Sequence, residues 1–328
     1  MYIHLSNDDN LAEELAEKYG YRPYMIKRYL ILFGKEETVE FLEANEKMLI
    51  PSLRCNTLRI SEEDFVNLFT KKGFVLEKIE KLSGISYGYR VFKTPFPLGA
   101  TNEYLLGFYF LQSEASMIPV QVLDPKPGEI ILDLAAAPGG KTTQIAQFME
   151  NTGIIVAIDI NRRRIKSLRS NLSRCGVYNA LTIRMDGCQI SDLGLKVDKV
   201  LLDAPCTGEG LIPRDPKRKT SRELKDILYL SELQKELMTA AIRCLKPGGQ
   251  LVYSTCAIAP EENEFVIDHA LKNEHIHVKK MDFNRGSPAF TDVIFDETLH
   301  PSIKEARRFY PHKDGTEGFF ICKLQKDS

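Results

Sequence analysis

Asp133-Leu-Ala-Ala-Ala-Pro-Gly-Gly-Lys-Thr142 follows the short apolar run Glu129-Ile-Ile-Leu and runs into Thr142-Thr-Gln-Ile-Ala-Gln-Phe-Met-Glu150, where apolar residues recur at helical spacing. That is the pattern of a strand, a tight small-residue turn and a helix. Small residues let the backbone come close to a ligand, and a helix N-terminus offers unpaired N–H groups to an anion. Two nucleotide loops compete for the stretch. A phosphate loop needs Gly, four residues, then Gly-Lys-Ser/Thr. Gly140-Lys141-Thr142 fits, but Ala135 stands where the first glycine belongs. The Gly-x-Gly-x-x-Gly of a dinucleotide loop is absent.

Outward from this stretch, strands and helices alternate. Strands are expected at Glu129–Leu134, Ile154–Ile158, Ala180–Arg184, Val197–Leu202 and Gln250–Ser254. Helices are expected at Gly139–Glu150, Asn161–Cys175, Ser221–Leu245 and Pro260–Lys272, with later strands near Val278 and at Gly318–Leu324. Such alternation means an α/β fold, a doubly wound, mostly parallel sheet with helices on both faces. Toward the N-terminus the pattern reads as three short helices over residues 10–50, strands at Arg54–Ile60, Phe74–Leu82 and Tyr87–Phe92, and a helix from Ser61 to Lys72. Ser61-Glu-Glu-Asp64 resembles a capping box, Gly73 closes that helix, and Gln112–Leu123 has helical spacing. The expected division is a smaller N-terminal α+β domain over residues 1–100 and a main domain over 101–328.

Composition sets outer bounds. The chain has 328 residues, 43% hydrophobic and 27% charged, as in ordinary globular proteins. Its longest apolar run, Leu105-Leu-Gly-Phe-Tyr-Phe-Leu111, is too short for a membrane span. The polar N-terminus carries no signal-peptide pattern. Seven cysteines, none in a Cys-x-x-Cys pair, argue for a reducing cytoplasmic setting and against a disulfide framework or a metal site. Net charge is −1, but six basic residues and no acidic one fall between Asn161 and Cys175, and five basic residues against one Asp between Pro213 and Arg222. Charge runs are usually solvated faces; two of them in a nearly neutral chain also suit a phosphate-binding face.

In a sheet of this kind, ligands sit outside the carboxyl ends of the strands. Four such ends carry Asp133 with the glycine-rich turn, Asp159, Asp203-Ala-Pro-Cys206 and Thr255-Cys256. A carboxylate closing the second strand, as Asp159 does, suits ribose hydroxyls, or else caps the basic helix that follows. A free cysteine is usually inert and buried. Two at neighbouring strand ends, beside Asp203 and near Lys141, suit a thiolate nucleophile.

These residues resemble the Sun/Fmu-type RNA (cytosine-5) methyltransferases. The stretches that carry the likeness are Arg54–Leu58, Leu132–Thr142, Leu201–Gly210, Leu245–Cys256, Pro260–Glu264, Arg308–Pro311 and Asp314–Phe320. The resemblance implies a seven-stranded, Rossmann-like class I methyltransferase sheet and S-adenosylmethionine as cofactor. It implies an RNA partner, with tRNA favoured over rRNA, and no membrane; a monomer is expected. It places Ala135, Ala136, Ala137, Pro138, Gly139, Gly140 and Lys141 along the methionine part of the cofactor, Asp159 on the ribose with Arg164 nearby, and Asp186 by the adenine. Asp203 would face both the sulfonium and the target base. Cys256, of the Thr-Cys motif, resembles the nucleophile, and Cys206 the residue that assists product release. This reverses the order in DNA cytosine methyltransferases, where a Pro-Cys is the nucleophile. Lys141 would favour a thiolate or orient the base.

The loop Ile212–Lys219 lacks the aromatic residue often found there in the family, which bears on RNA contact rather than on the reaction. Arg54, Arg162, Arg163, Arg214, Lys217, Arg218 and Lys219 are the RNA-binding candidates. Two other classes stay open. A phosphate-loop nucleotide hydrolase is favoured by Gly140-Lys141-Thr142 and disfavoured by Ala135 and the paired cysteines. A non-catalytic RNA-binding protein on the same fold is disfavoured by the presence of both cysteines.

Overall fold

The structure, a computed structural model, describes residues 8–79, 85–282, 285–291 and 298–328. Its first elements are α1 (Asp9–Tyr19) and α2 (Pro23–Asn45). Gly20 ends α1 in a left-handed conformation, and Gly34 breaks α2 at φ 74°, so the three helices read from the sequence are present. A small antiparallel sheet follows, built from β1 (Ser52–Cys55), β2 (Val75–Lys78), β3 (Gly88–Lys93) and β4 (Tyr109–Leu111) in the order β2-β3-β1-β4. The helix α3 (Glu62–Lys71) packs on it and opens where the capping residues place it, with the Asp64 N–H donating to Ser61 Oγ at 3.1 Å. Strand β1 is shorter than the expected Arg54–Ile60, because the chain turns at Asn56. The end of the strand expected at Phe74–Leu82 lies outside the described residues.

The short helix α4 (Asn102–Leu105) and α5 (Glu114–Leu123) lead into the large sheet. There β5 (Ile130–Asp133), α6 (Gly140–Phe148), β6 (Ile154–Asp159), α7 (Arg162–Cys175), β7 (Ala180–Arg184), β8 (Val197–Asp203), α8 (Leu224–Cys244), β9 (Leu245–Thr255) and α9 (Glu264–Asn273) alternate. Next come β10 (Ile276–Val278), β11 (Ser287–Pro288), β12 (Arg307–Phe309), α10 (Pro311–Asp314) and β13 (Phe319–Lys326). Five parallel strands run β7-β6-β5-β8-β9, and antiparallel β13 pairs with β9 from Phe320 opposite Thr255 to Gln325 opposite Gln250. The far edge of β13 is shared by β12 at its start and β10 at its end. The expected seven strands are therefore β7 through β10 in space. Two short strands, β12 and β11, extend the sheet to nine among the described residues.

The N-terminal hundred residues are not one unit. Apolar residues of α1 and α2 (Met25, Ile26, Phe41) cluster with Ile212, Ile258 and Tyr310 from the far half of the chain. The small sheet has its own core around Phe65, Phe69 and Tyr109, and β4 carries it past the expected boundary at residue 100. It is tied to the large domain by the Asn56 amide, which donates to the Cys175 carbonyl at 2.8 Å, and by Arg174, which donates to the Tyr104 carbonyl at 2.6 Å.

Candidate active site

The parallel strands deliver Asp133, Asp159, Asp203 and Cys256 to one edge of the sheet, because β5, β6, β8 and β9 all run the same way. After β5 the backbone turns sharply. Gly139 sits at φ +104°, and a Cβ there would stand 2.9 Å from the Leu168 side chain, so the turn requires glycine. Asp133 does not face solvent. It accepts the Thr142 hydroxyl at 2.7 Å, and burial pushes its carboxyl up to about 7, which the Thr142 hydrogen bond opposes. Its role is to pin the first turn of α6. Residues Ala135–Pro138, Gly140 and Lys141 line a cleft of about 250 Å³ together with Ser116, Phe110 and Asp203.

Asp159 lies buried at the end of β6. One carboxylate oxygen accepts the Asn161 N–H at 2.8 Å; the other accepts the Ala137 N–H at 3.3 Å and pairs with Arg164 at 3.4 Å. The cap of α7 is Asn161 rather than Asp159, since its side chain takes the Arg163 and Arg164 N–H groups. Arg164 also donates to the Ala137 carbonyl, so it braces the turn after β5 from the basic helix. Asp186 holds the next strand's exit through the Cys188 N–H at 3.0 Å. Ile160, beside Asp159, is 62% exposed, an apolar surface at the place where a nucleobase could rest.

The chemistry gathers where β8 and β9 end. The Cys206 and Cys256 sulfurs are 3.2 Å apart. The hydrogen bond to Cys256, followed by burial, holds the Cys206 thiol well above its ordinary range. Cys206 therefore keeps its proton, with the Cys256 sulfur within hydrogen-bond reach. Lys141 donates to Asp203 Oδ2 at 2.7 Å and to the Ser116 hydroxyl at 2.9 Å, while Ser254 donates to Asp203 Oδ1 at 2.7 Å. Both thiols and Asp203 line a second cleft of about 520 Å³, which meets the first along Ala135 and Asp203.

The loop carrying Cys206 is fixed from behind. Glu262 accepts the Thr207 N–H at 2.8 Å and its hydroxyl at 2.5 Å, and Gln234 links Glu262 to the Pro205 carbonyl. Burial pushes Glu262 up to about 8, opposed by the Thr207 hydroxyl. Gly210 donates to the Cys256 carbonyl at 2.8 Å and touches Gly318, whose carbonyl a Cβ on Gly210 would overlap at 2.0 Å. Ser116, Ser254 and Glu262 were not singled out in the sequence. Each is a common residue type whose role depends on partners distant in the chain. The one available signal was that Ser254 and Glu262 sit inside stretches already quoted for the family likeness.

The RNA-binding candidates divide. Arg54 is wholly buried and cannot meet a substrate. It donates to the Gln112 side chain at 3.0 Å, to Thr143 Oγ1 at 2.8 Å and to Gln147, and so clamps β1 to α6. Burial lowers its guanidinium to about 10. Lys219 is likewise engaged, with Glu46 at 2.5 Å and the Tyr19 carbonyl at 2.9 Å. Arg162, Arg163, Arg214 and Lys217 are exposed, and Arg218 borders the thiol cleft while donating to the Thr207 carbonyl at 2.8 Å.

Glu209, three residues after Cys206, is buried with no hydrogen-bond partner at either carboxylate oxygen. Burial pushes it from 4.5 up to about 7, with Arg28 opposing. Because the folded state holds a proton that the unfolded chain releases above 4.5, stability is full below that pH and is lost as pH rises through about 7. The loss is worth roughly 3 kcal/mol. Urea unfolding at pH 5 and pH 8 is expected to show Glu209→Gln gaining most of this over wild type at the higher pH. A wild-type-to-variant difference that does not change with pH would refute the assignment.

Comparison with known proteins follows the same lines. Residues 120–325 match the family model described as 16S rRNA methyltransferase RsmB/F. The chain is 43% identical over 324 residues to a human 28S rRNA (cytosine(4447)-C(5))-methyltransferase, covering 98% of this chain and 40% of that protein. Across the eukaryotic relatives it matches, it spans about half their length or less, from 40% to 53%. It is 38% identical over 302 residues to a tRNA (cytosine(49)-C(5))-methyltransferase of Pyrococcus abyssi, covering 92% of this chain and 95% of that one. The crystal structure of NSun6 from Pyrococcus horikoshii with SFG superposes at a TM-score of 0.81 and 27% identity over the whole of both chains. With the shared cleft, the paired thiols and matches of this extent, the chain belongs to the RsmB/F methyltransferase family.

Proposed function

We propose that the protein transfers the methyl group of S-adenosylmethionine to C5 of a cytosine in RNA, through a covalent bond between Cys256 and C6 of the base. The observation that carries this reading is the pair of sulfurs 3.2 Å apart, set beside the Lys141–Asp203 ion pair at the mouth of the Ala135–Lys141 cleft. The cleft residues fit the cofactor. Asp159 presents a carboxylate at a strand end where a ribose would lie, Ile160 an apolar face for adenine, and the first turn of α6 its N–H groups for the amino-acid carboxylate. The relative crystallised with SFG, an S-adenosylmethionine analogue, supports the same assignment. When bound, S-adenosylmethionine supplies a methyl group that is electrophilic at carbon.

The chain's residues account for the remaining steps. The Cys256 thiolate bonds to C6 of the cytosine, breaking the C5–C6 double bond and placing its electron pair on C5, which then takes the methyl group. Lys141 and Asp203, held by Ser116 and Ser254, present a donor and an acceptor to the polar edge of the base. Once Cys256 is bonded to carbon, the largest of the causes that raise the Cys206 thiol is removed and burial is left as the main one. Cys206 gives its proton to water in the open cleft and, as the thiolate, takes up the C5 proton; the C5–C6 double bond reforms as the C6–S bond breaks and returns the Cys256 thiolate.

Transfer RNA is the favoured substrate, by likeness to the tRNA (cytosine(49)-C(5))-methyltransferase of Pyrococcus abyssi, 38% identical over 302 residues. Ribosomal RNA is the second reading, favoured by the higher identity to that enzyme. One chain carries both thiols and both clefts, which supports action as a monomer, and seven free cysteines support a reducing, cytoplasmic setting. Among the described residues no helix is long and apolar enough to cross a membrane. Exposed Arg162, Arg163, Arg214 and Lys217 would meet RNA phosphates.

Bisulfite sequencing of RNA from cells with and without the gene tests the reaction and locates the cytosine; no site lost with the gene would refute it. Cys206→Ala is expected to accumulate an RNA–protein adduct that survives denaturing gels and vanishes in the Cys206→Ala/Cys256→Ala double variant. Without such an adduct the release role of Cys206 fails.

A further inference from the structure

Tyr229 stands on the second turn of α8 with 71% of its surface open. It lines the same cleft as Cys206 and Cys256, beside Leu230, Arg218 and Arg222. Further along α8, Leu237 packs on Gly187, next to Asp186 at the exit of β7. Tyr229 precedes Leu237 by eight residues, about 12 Å along the helix axis, and so lies beyond the strip expected to hold the adenine.

The charges around Tyr229 are uneven. Asp226 has its carboxylate bound by the Glu223 N–H at 2.9 Å as part of the α8 cap. Asp203 is held by Lys141 and Ser254. Arg218 pairs with Asp215 at 3.3 Å. Among the described residues no carboxylate pairs with Arg222, whose backbone is held in place by the Tyr24 hydroxyl at 3.1 Å. An open aromatic face next to a guanidinium with no ion-pair partner among the described residues offers one surface for a base and one for a phosphate. The reacting cytosine occupies the thiols, so a second nucleotide held here is its neighbour on the same strand.

We propose that Tyr229 and Arg222 form a subsite for the nucleotide flanking the target cytosine, with its base on Tyr229 and its phosphate on Arg222. A base stacked within a duplex cannot also lie on a side chain inside the cleft. The substrate is therefore RNA that is unpaired at two consecutive positions, a loop or single strand rather than a helix with one flipped base. This rests on the methyltransferase reading above.

The test uses an RNA oligonucleotide spanning the cytosine located by bisulfite sequencing, with intact or abasic flanking positions, and the full-length protein. Tyr229→Ala is expected to raise KM for the intact RNA roughly 5- to 100-fold, with kcat and S-adenosylmethionine affinity little changed and Tyr229→Phe close to wild type. Removing the flanking base on the correct side should cost wild type a similar factor and cost Tyr229→Ala almost nothing more. Arg222→Gln should raise KM and lessen its dependence on salt. An unchanged KM in Tyr229→Ala overturns the subsite, as does an abasic penalty that persists in that variant. Loss of cofactor affinity instead would assign Tyr229 to the adenine and also overturn it. Absence of methylation by the wild-type protein would refute the parent reading instead, and the subsite with it.

Discussion

Cys256→Ala is expected to lower methyl transfer to RNA by roughly 10⁴-fold or more, while the variant still binds S-adenosylmethionine. C5 of cytosine is too weak a nucleophile to react unless a sulfur has first bonded to C6, and no other group replaces that sulfur. Cys206 is 3.2 Å away but holds its proton, and burial disfavours its thiolate. Labelled methyl transfer and calorimetric cofactor binding, run on the same preparation, separate chemistry from fold. The two cysteines then have opposite signatures. The alanine at 256 gives no turnover and no adduct; the alanine at 206 gives slow turnover and a persistent adduct. Full activity in Cys256→Ala would end the covalent mechanism.

Arg308→Met costs about 3–5 kcal/mol of stability. Arg308 and Glu264 form an ion pair with side chains 1% and 0% exposed, and the same guanidinium donates to the Ile258 carbonyl at 2.9 Å and covers the Phe290 ring at 4.6 Å. Removing the cation leaves Glu264 charged, buried and without its partner. The Phe290 N–H at 3.0 Å still reaches that carboxylate but brings no charge. Replacing both partners by apolar residues is expected to recover much of the loss, because the penalty is the uncompensated charge rather than the absent pair. Urea denaturation measures both. A single variant within 1 kcal/mol of wild type would mean that water reaches Glu264. Ile258 lies two residues after Cys256, so the single variant should also lose turnover at temperatures where it remains folded.

The sheet that places the site was readable where the sequence is loud. Strands β5, β6 and β8 are apolar runs that end in Asp133, Asp159 and Asp203, Cys256 directly follows β9, and the alternation with helices leaves little choice of topology. Strands β4, β11 and β12 have two or three residues each, too few for any periodicity to register. Arg54 misled for a related reason. A basic residue before a turn suggests solvent, and only the tertiary placement of Gln112, Thr143 and Gln147 makes its burial affordable. The closeness of the two sulfurs was equally hidden, since it depends on how the loops after β8 and β9 pack together.

The cluster that joins Met25, Ile26 and Phe41 to Ile212, Ile258 and Tyr310 has a consequence for how the protein comes into being. During synthesis the first helices emerge and must wait for partners more than 170 residues downstream. Contacts of such sequence separation are entropically late, and folds dominated by them are slow. The loop that presents Cys206 is also backed through Gly210 against Cys256 and Gly318, contacts that need β9 and β13 in place. A nascent chain that has already translated the Asp133–Thr142 turn therefore lacks the packing that sets Cys206 beside Cys256, which needs the C-terminal strands.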